Sequence, residues 1–426
     1  MKSLLWFALV PGLASAQTGL TLEEALSTAR RQAPSIVAAQ AEARSKVGEW
    51  RAAQSNLGPK LTGNGFYADS RNGATLQTMG GMPDTTMAMP AGRTTVGNLM
   101  LMMPLYSGGL LESRSAAAKA RATAMEGGVG EVIAETMLVV KEAYLTALLE
   151  QERVVTQEAR LKAVEEMLRT TRARFEEGKD LQASVLRVQT ESLMAQRDVR
   201  AAQNSRDKAL IALQQAIGGE PGSPRPTVGA LALVEASLTL DEYLANALKQ
   251  RGLVMAAQAM VAAAQAEVRA AAARSGPQVY GQAMADASGD PMMRGSTFGV
   301  VLTLPLYDGG ERRAMTSAMR AMLDRETAML RAMRLEVETQ VRQAWLDLQT
   351  AAQDVEAARS SVASAEAAYE VVRLRVEAGR GILLEQLDGL SLVADGRLAL
   401  AQALFEHRLA LARLERASGL STPEVP

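Results

Sequence analysis

The stretch that decides the fold reads Pro104-Leu105-Tyr106-Ser107-Gly108-Gly109, and it recurs 201 positions later as Pro305-Leu306-Tyr307-Asp308-Gly309-Gly310. A second stretch, Thr21-Leu22-Glu23-Glu24-Ala25-Leu26, recurs 218 positions later as Thr239-Leu240-Asp241-Glu242-Tyr243-Leu244. Two offsets that each hold over long distances are not expected by chance. They indicate that the chain is an internal tandem duplication.

The duplication predicts the domain organisation. We expect a first structural repeat at 17–219, an inter-repeat linker rich in Gly and Pro at 220–237, a second repeat at 238–419 and a tail at 420–426. In the family resemblance described below, the linker corresponds to the equatorial region. Between the two repeated stretches the offset falls from 218 to 201, which predicts an inserted loop in the first repeat within Ser70–Arg93.

The first sixteen residues predict a secretory signal peptide. Lys2 gives a basic start, Leu4–Leu13 is apolar but too short to span a bilayer, and Ala14-Ser15-Ala16 suits a signal peptidase. We expect the mature chain to begin near Gln17, and without a cysteine there we expect no lipid anchor. The alternative is a buried N-terminal helix.

Both repeats follow one predicted plan. A helix of about 35 residues begins at Leu22 or Leu240, followed by two short strands, a helix of nearly 70 residues, a glycine turn and a helix of about 37. At about 1.5 Å per residue, the longest helix would extend roughly 100 Å. The abundance of Ala, Leu, Val and Met with interspersed charges suits coiled-coil packing.

In the candidate strands, apolar and more polar residues alternate as they do in membrane strands. Large apolar residues occupy the even positions of 297–306, and Leu99, Leu101, Met103 and Leu105 repeat that face in the first copy. Asn98, Met100 and Met102 lie on the opposite face in the first copy, and Thr, Gly and Val alternate with the apolar residues in the second. This is the apolar-out and polar-in pattern of a membrane strand. The partner strands, near 61–68 and 279–287, alternate more weakly. Half of all Phe and Tyr residues lie in these regions, as aromatic girdles do: Phe66, Tyr67, Tyr106, Tyr280, Phe298 and Tyr307.

Four strands cannot close a membrane barrel, because about eight is the smallest number observed. Three chains would supply twelve. The predicted fold class is therefore mainly α with a membrane β-barrel, in which long coiled-coil helices adjoin a 12-stranded trimeric barrel. A soluble amphipathic sheet is the alternative reading of the strands.

Composition argues against an enzyme and against nucleic acid as a partner. The chain has no cysteine and one histidine, His407, so thiol chemistry is impossible and the usual general base is nearly missing. The 46 basic and 47 acidic residues are mixed along the chain, with no polybasic segment. We predict no catalytic site and no cofactor.

These features together resemble the TolC family of outer-membrane efflux proteins over nearly the whole mature chain. The two Pro-Leu-Tyr-x-Gly-Gly stretches resemble that family's signature, as does Arg174-Phe175 with Gly178, followed by Val185-Leu186 and Gln189. The resemblance implies a homotrimer with its barrel in outer-membrane lipid and its coiled-coil helices arranged as a long α-helical tunnel across the periplasm. It also implies two partners, a periplasmic adaptor and an inner-membrane pump.

The resemblance also implies three groups of site residues. The strand–helix junctions would contain Pro104, Tyr106, Gly108, Gly109, Pro305, Tyr307, Gly309 and Gly310. The two glycine turns would form the periplasmic tip and dock the adaptor through Glu177, Gly178, Lys179, Ala378, Gly379 and Arg380. A plain helix-hairpin turn without a partner remains the alternative for the tip.

The third group is a channel constriction. The family carries acidic residues at the positions of Glu385 and Asp388, which share a helix face. Three copies would present six carboxylates, a field that attracts cations. Their first-copy counterparts are Ser184 and Arg187, and we hypothesise that Arg187 pairs with Asp388 in a closed state. Two ordinary solvated carboxylates are the alternative.

The sequence thus predicts the channel subunit of a tripartite efflux or type I secretion system, a passive conduit from the periplasm to the exterior. A secreted periplasmic coiled-coil scaffold is the alternative function. Within the channel reading, copper or silver ions are an alternative substrate, because Met79, Met82, Met87 and Met89 cluster in the insertion. The frequent use of methionine as a filler residue elsewhere in the chain favours no metal site.

Overall fold

The computed structural model describes residues 19–70, 74–77, 86–89, 92–220, 222, 224–288 and 295–420. The predicted signal peptide at 1–16 lies outside the described residues, as does the tail after residue 420. By contact density the chain divides into two compact units. One comprises Met1–Gln40, Val129–Gly252 and Arg334–Pro426, and the other comprises Ala41–Gly128 and Leu253–Met333.

The helices of the two repeats match in length. The first repeat contains α1 (Leu22–Gln32), α2 (Pro34–Ser55), α3 (Leu110–Glu176) and α4 (Gln182–Ala216). The second contains α5 (Leu240–Gln250), α6 (Gly252–Ala273), α7 (Glu311–Glu377) and α8 (Leu383–Ala417). In both copies the lengths are 11, 22, 67 and 35 residues, so the predicted duplication is confirmed. None of the helices in the described part of the chain is long and apolar enough to cross a membrane.

The prediction of one continuous first helix per repeat is wrong. Ala33 interrupts the first copy with a ψ of 123°, because the residue before a proline is disfavoured in the α region and Pro34 follows. Arg251 interrupts the second copy at the equivalent place with a ψ of 127°, although no proline follows it. The break therefore belongs to the duplicated fold rather than to the proline alone.

Two glycines explain why the break is retained in both copies. A Cβ atom built on Gly218 would lie 2.8 Å from the carbonyl oxygen of Gln32, and one on Gly419 would lie 3.3 Å from the backbone N of Arg251. Each glycine follows the last helix of its repeat and has a positive φ, 79° and 78°. The end of the repeat thus packs directly on the backbone of the break near its start.

The unit that contains both ends of the described chain has a core formed by α1, the start of α2, α3 and α4. Its largest buried side chains include Ile36, Val140 and Leu213. The Tyr144 hydroxyl donates to the backbone oxygens of Leu20, at 3.1 Å, and Val228, and so ties α3 to the segment before α1 and to the linker. Burial raises the pKa of this phenol.

The other unit carries the strands. They are β1 (Lys60–Ser70), β2 (Ala74–Gln77), β3 (Thr86–Met89), β4 (Gly92–Tyr106), β5 (Gln278–Ser288) and β6 (Gly295–Thr303). Four of them form one antiparallel sheet in the order β1-β4-β5-β6, as predicted in number. Beneath it, Arg121 of α3 pairs with Glu267 of α6 at 3.0 Å, and Lys119 lies over the Trp50 ring of α2.

The insertion is not the unstructured loop that its composition predicts. β2 and β3 lie inside it and pair antiparallel, with Ala74 opposite Met89. Runs of four residues are too short for an alternation to be read from sequence, which explains the error. The remaining residues of the insertion between β1 and β4 lie outside the described residues.

The register of the sheet confirms the predicted faces. Leu61, Leu101, Ala283 and Phe298 lie in one row across the four strands, whereas Asn64, Asn98 and Asp286 lie in another. Directly opposed residues of a sheet share a face, and successive residues alternate. Asn64 donates to Asn98 across the polar face at 2.9 Å. The other face exposes large apolar side chains.

Candidate functional site

Each strand–helix junction turns on a pair of glycines. Their φ angles are 61° and 85° at Gly108 and Gly109, and 65° and 96° at Gly309 and Gly310. Residues with a Cβ rarely adopt this left-handed region, so the repeated glycine pair is required by the backbone. The turn redirects the chain from the sheet into the long helix α3 or α7.

The residue before each glycine pair accepts hydrogen bonds from free backbone N–H groups at the start of the helix. The Ser107 hydroxyl accepts from the backbone N of Leu111 at 3.3 Å, and Asp308 accepts from the backbone N of Gly310 at 3.1 Å and of Arg312 at 3.0 Å. These bonds provide partners for N–H groups that a helix start leaves free. The Arg312 side chain also hydrogen-bonds Asp308 and, together with the backbone donors, lowers the pKa of its carboxyl to about 2.

The remaining junction residues are placed differently in the two copies. Pro104 lies within β4 opposite Tyr280, and the register then shifts before Tyr106 pairs with Val279. In the second copy β6 ends at Thr303, so the counterparts of Pro104 and Tyr106 lie beyond the strand. Tyr106 is 54% exposed, whereas its counterpart Tyr307 is 91% exposed.

The two glycine turns between the long helices have the same geometry. Gly178 and Gly379 have φ angles of 74° and 70°. The backbone N of Lys179 donates to the oxygen of Arg174 at 2.8 Å, and that of Arg380 donates to Arg375 at 2.8 Å. These are Schellman turns, which satisfy the last carbonyls of a helix. The six proposed docking residues are all exposed.

A groove next to these turns is lined by charged side chains of both hairpins. Lys179 and Asp180 come from the first turn, and Arg373 and Glu377 come from the last turns of α7. Arg373 donates to Glu370 at 2.5 and 3.0 Å and to Glu377 at 2.9 Å. The hydrogen bonds from Arg373 lower the pKa of Glu370. The groove therefore combines both signs of charge, although its ion pairs are solvated.

Glu385 and Asp388 lie in the first turns of α8, and both are exposed. On the opposite side of this helix, Leu387 and Leu390 are buried against Val164 and neighbouring apolar residues of α3 and α4. This packing fixes the rotation of α8, so the two carboxylates point away from the helical hairpins. Neither forms an ion pair within the described residues.

Their first-copy counterparts are also near the surface. Arg187 is exposed on α4 and makes no ion pair with Asp388 in this single chain. Ser184 is half-buried, and its backbone N donates to the oxygen of Leu181 at 3.0 Å. The hypothesised closing pair is thus not formed within one protomer, and it stays a prediction for contacts between protomers.

Sequence reasoning missed two arginines that hold the helices together. Arg251, at the second helix break, is 1% exposed and pairs with Glu131 at 3.4 Å. Arg160 of α3 pairs with Asp198 of α4 at 3.2 Å and donates to Ser391 of α8 at 3.4 Å. Their burial depends on helices that are distant in sequence, so no local pattern marks them.

The candidate methionines do not provide a describable metal site. Met79 and Met82 lie outside the described residues, and only the backbone of Met87 and Met89 on β3 is described. Among the described side chains, no group of three or more His, Cys, Asp or Glu residues could hold a metal ion. His407 is buried in α8, where desolvation lowers its pKa.

Comparison with known proteins identifies the class. The family model described as outer membrane efflux protein matches residues 25–219 and 243–420, one match in each repeat. Outer membrane efflux protein BepC of Brucella suis biovar 1 (strain 1330) is 23% identical over 336 residues, which cover 78% of this chain and 73% of that protein.

Solved structures share the fold. The Campylobacter jejuni CmeC outer membrane channel superposes with a TM-score of 0.77 at 14% identity, covering 94% of this chain and 86% of that chain. The Vibrio cholerae outer membrane protein VceC has a TM-score of 0.74 at 19% identity, covering 93% and 96%.

The chain therefore belongs to the outer membrane efflux protein family. As a member of that family it is an outer-membrane efflux protein and not an enzyme, and its fold is that of solved outer membrane channels. The resemblance predicted from the junction motifs and the predicted mainly helical, duplicated fold with four antiparallel strands are confirmed.

Proposed function

We propose that this chain is the outer-membrane channel subunit of a tripartite efflux or type I secretion system. Three copies form a twelve-stranded barrel in the outer membrane, and the long helices form a tunnel in the periplasm. The assembly is a passive conduit to the exterior, and its substrates are delivered by an inner-membrane pump and a periplasmic adaptor.

One observation carries this proposal, namely the exposed apolar face of the four-stranded sheet. Phe298, Val300 and Leu302 of β6 are 81%, 67% and 64% exposed. The hydrophobic effect disfavours such a surface in water, whereas hydrocarbon would cover it. The opposite face carries Asn64 and Asn98, which suit a water-filled lumen. The scaffold alternative gives this face no role.

The tip of the helical hairpins supports the proposed partners. The exposed turns at Gly178 and Gly379 and the adjacent charged groove provide a polar surface on which the helical hairpin of an adaptor would dock. Glu385 and Asp388, which are exposed and lack ion pairs within the described chain, would line the constriction of a trimer. Their charge favours the passage of cations.

Membrane fractionation and bilayer recording test the proposal. We expect the mature protein to stay in the outer-membrane fraction after carbonate or urea washing, because its apolar strands are inserted in lipid. Amine-reactive crosslinking in detergent should yield a trimer, and the purified trimer should conduct ions across a planar bilayer. A protein that washes off as a water-soluble monomer would instead be the coiled-coil scaffold.

A further inference from the structure

Three methionine side chains lie together on the polar face of the sheet. Met100 of β4 lies directly opposite Met284 of β5, and Met102 lies two residues further along β4. Residues two apart on a strand share a face, so both methionines of β4 lie on the face of Asn98. Met284 likewise lies on the face of Asp286, which is opposite Asn98. The three thioethers are therefore on one side of the sheet.

The spacing of these side chains allows their sulfur atoms to converge. Gln282 lies opposite Met102, and its Nε2 is 4.0 Å from the Sδ of Met100 on the diagonal between the two strands. Opposed Cβ atoms of an antiparallel pair are about 4.5–5.5 Å apart, and diagonal residues are about 7–8 Å apart. Because methionine has three rotatable bonds, three sulfurs in this arrangement can reach one common point.

Packing against lipid does not explain these methionines. Met103, the next residue of β4, lies on the opposite, apolar face, where its 45% exposed side chain would contact hydrocarbon. Met100 and Met284 are half-buried on the face that carries amide and carboxylate groups. A thioether is only a weak hydrogen-bond acceptor and gains little from such neighbours. Its distinctive property among polar groups is its affinity for soft metal ions.

We propose that Met100, Met102 and Met284 form a thioether site for one soft monovalent metal ion, Cu(I) or Ag(I). Thioether sulfur selects such ions, whereas Mg²⁺ and Ca²⁺ prefer oxygen ligands. The cluster itself follows from the register of β4 and β5. Its place in the conduit rests on the proposed function, in which the polar face lines the lumen and a bound ion narrows it.

The charges around the three sulfurs favour a cation. Asp286 lies two residues beyond Met284 on the same face and places a negative charge beside the cluster. Lys60 lies opposite Met102, but its Nζ donates to the Asn56 side chain at 2.5 Å, in the turn after α2. Its positive charge is therefore directed toward the helices and away from the sulfurs.

Silver binding tests the site, because Ag(I) is a soft ion that needs no reductant. The purified protein is equilibrated with silver nitrate in a buffer without chloride, and the bound silver is counted after gel filtration. The strand variant Met100→Leu, Met102→Leu and Met284→Leu should bind one ion fewer per chain than the natural protein. Leucine has nearly the volume of methionine but no sulfur, so the fold should be retained. If this variant does not fold, Met284→Leu alone, which removes the ligand from β5, should show the same loss.

The matched control removes three methionines that cannot share an ion. Met315, Met322 and Met329 are 39%, 50% and 56% exposed on α7, at intervals of seven residues. Their Cα atoms are therefore about 10 Å apart along the helix. The triple leucine variant at these positions should bind as much silver as the natural protein. Equal silver in the natural protein and the strand variant, or an equal loss in both variants, would overturn the site.

Planar-bilayer recording separates the site from the proposed function. Ag(I) should lower the single-channel conductance of the natural protein and of the α7 control, and leave that of the strand variant unchanged. A conducting protein whose strand variant keeps all its silver would overturn the site and leave the channel standing. A conductance that silver does not alter, with the loss of one ion retained, would overturn the lumen position and leave the thioether cluster. A protein that does not conduct would overturn the proposed function, while the silver counts would still decide the site.

Discussion

Replacing Gly218 with alanine is expected to destabilise the packing of the first repeat. The added Cβ would lie 2.8 Å from the carbonyl oxygen of Gln32, a distance that Cβ atoms essentially never show in folded proteins, and 3.1 Å from the Cα of Ala33, which is tighter than most Cβ contacts. Both contacts are backbone atoms of the break between α1 and α2. No side-chain rotation can relieve them, so one helix end must shift.

Two effects contribute to the magnitude. A residue with a Cβ at a φ of 79° costs about 1 kcal/mol relative to glycine. Overpacking at a contact that cannot relax adds about 1–3 kcal/mol. We therefore expect the Gly218→Ala variant to lose about 2–4 kcal/mol of unfolding free energy per chain.

The other turn glycines provide matched controls. Gly178 and Gly379 have φ angles of 74° and 70°, and an added Cβ would meet nothing within 4 Å at either. Their alanine variants should lose only the part of the unfolding free energy that comes from the strained backbone conformation, about 1 kcal/mol. Gly419 is intermediate, because its nearest contact would be 3.3 Å. The expected order of destabilisation is Gly218, then Gly419, then the two tip glycines.

Thermal unfolding of the detergent-solubilised protein, followed by far-UV circular dichroism, measures this order. At about 2.1 cal/mol/K per residue, the entropy of unfolding makes 1 kcal/mol equivalent to roughly 1 °C in a chain of this size. Gly218→Ala should lower the midpoint by about 3 °C and Gly178→Ala by about 1 °C at equal protein concentration. Equal shifts for the two variants would refute the argument from backbone packing.

Two further predictions concern conduction. The double variant Glu385→Gln with Asp388→Asn should reduce the preference for cations over anions several-fold in planar bilayers. The control Glu356→Gln, which neutralises an exposed carboxylate on α7, should not change this preference. Unchanged selectivity in the double variant would show that these two residues do not line the constriction. Arg187→Ala should raise single-channel conductance if the pairing of Arg187 with Asp388 closes the trimer. Arg200→Ala, about 20 Å further along α4, should leave the conductance unchanged. Equal conductance in the two variants would contradict the hypothesis that this ion pair closes the channel.

Much of the fold follows from local sequence. The long helices, their glycine turns and the alternating strands were predicted, because each element is specified by the spacing of apolar residues and by glycine at positive φ. The first helix of each repeat was predicted without its break. Pro34 signals that break in the first copy, but at Arg251 only the packing of Gly419 reveals it.

Some features of the candidate site likewise follow from the sequence, and others depend on the tertiary structure. The sequence by itself determined the duplication, which is visible as repeated motifs, and the junction turns, which depend on residues that are neighbours along the chain. The tertiary structure decided the register between β4 and β5, the burial of Arg251, and the contacts of Arg160 with Asp198 and Ser391. These contacts join segments more than thirty residues apart, and their geometry is set by the packing of whole helices and strands, which no local pattern encodes.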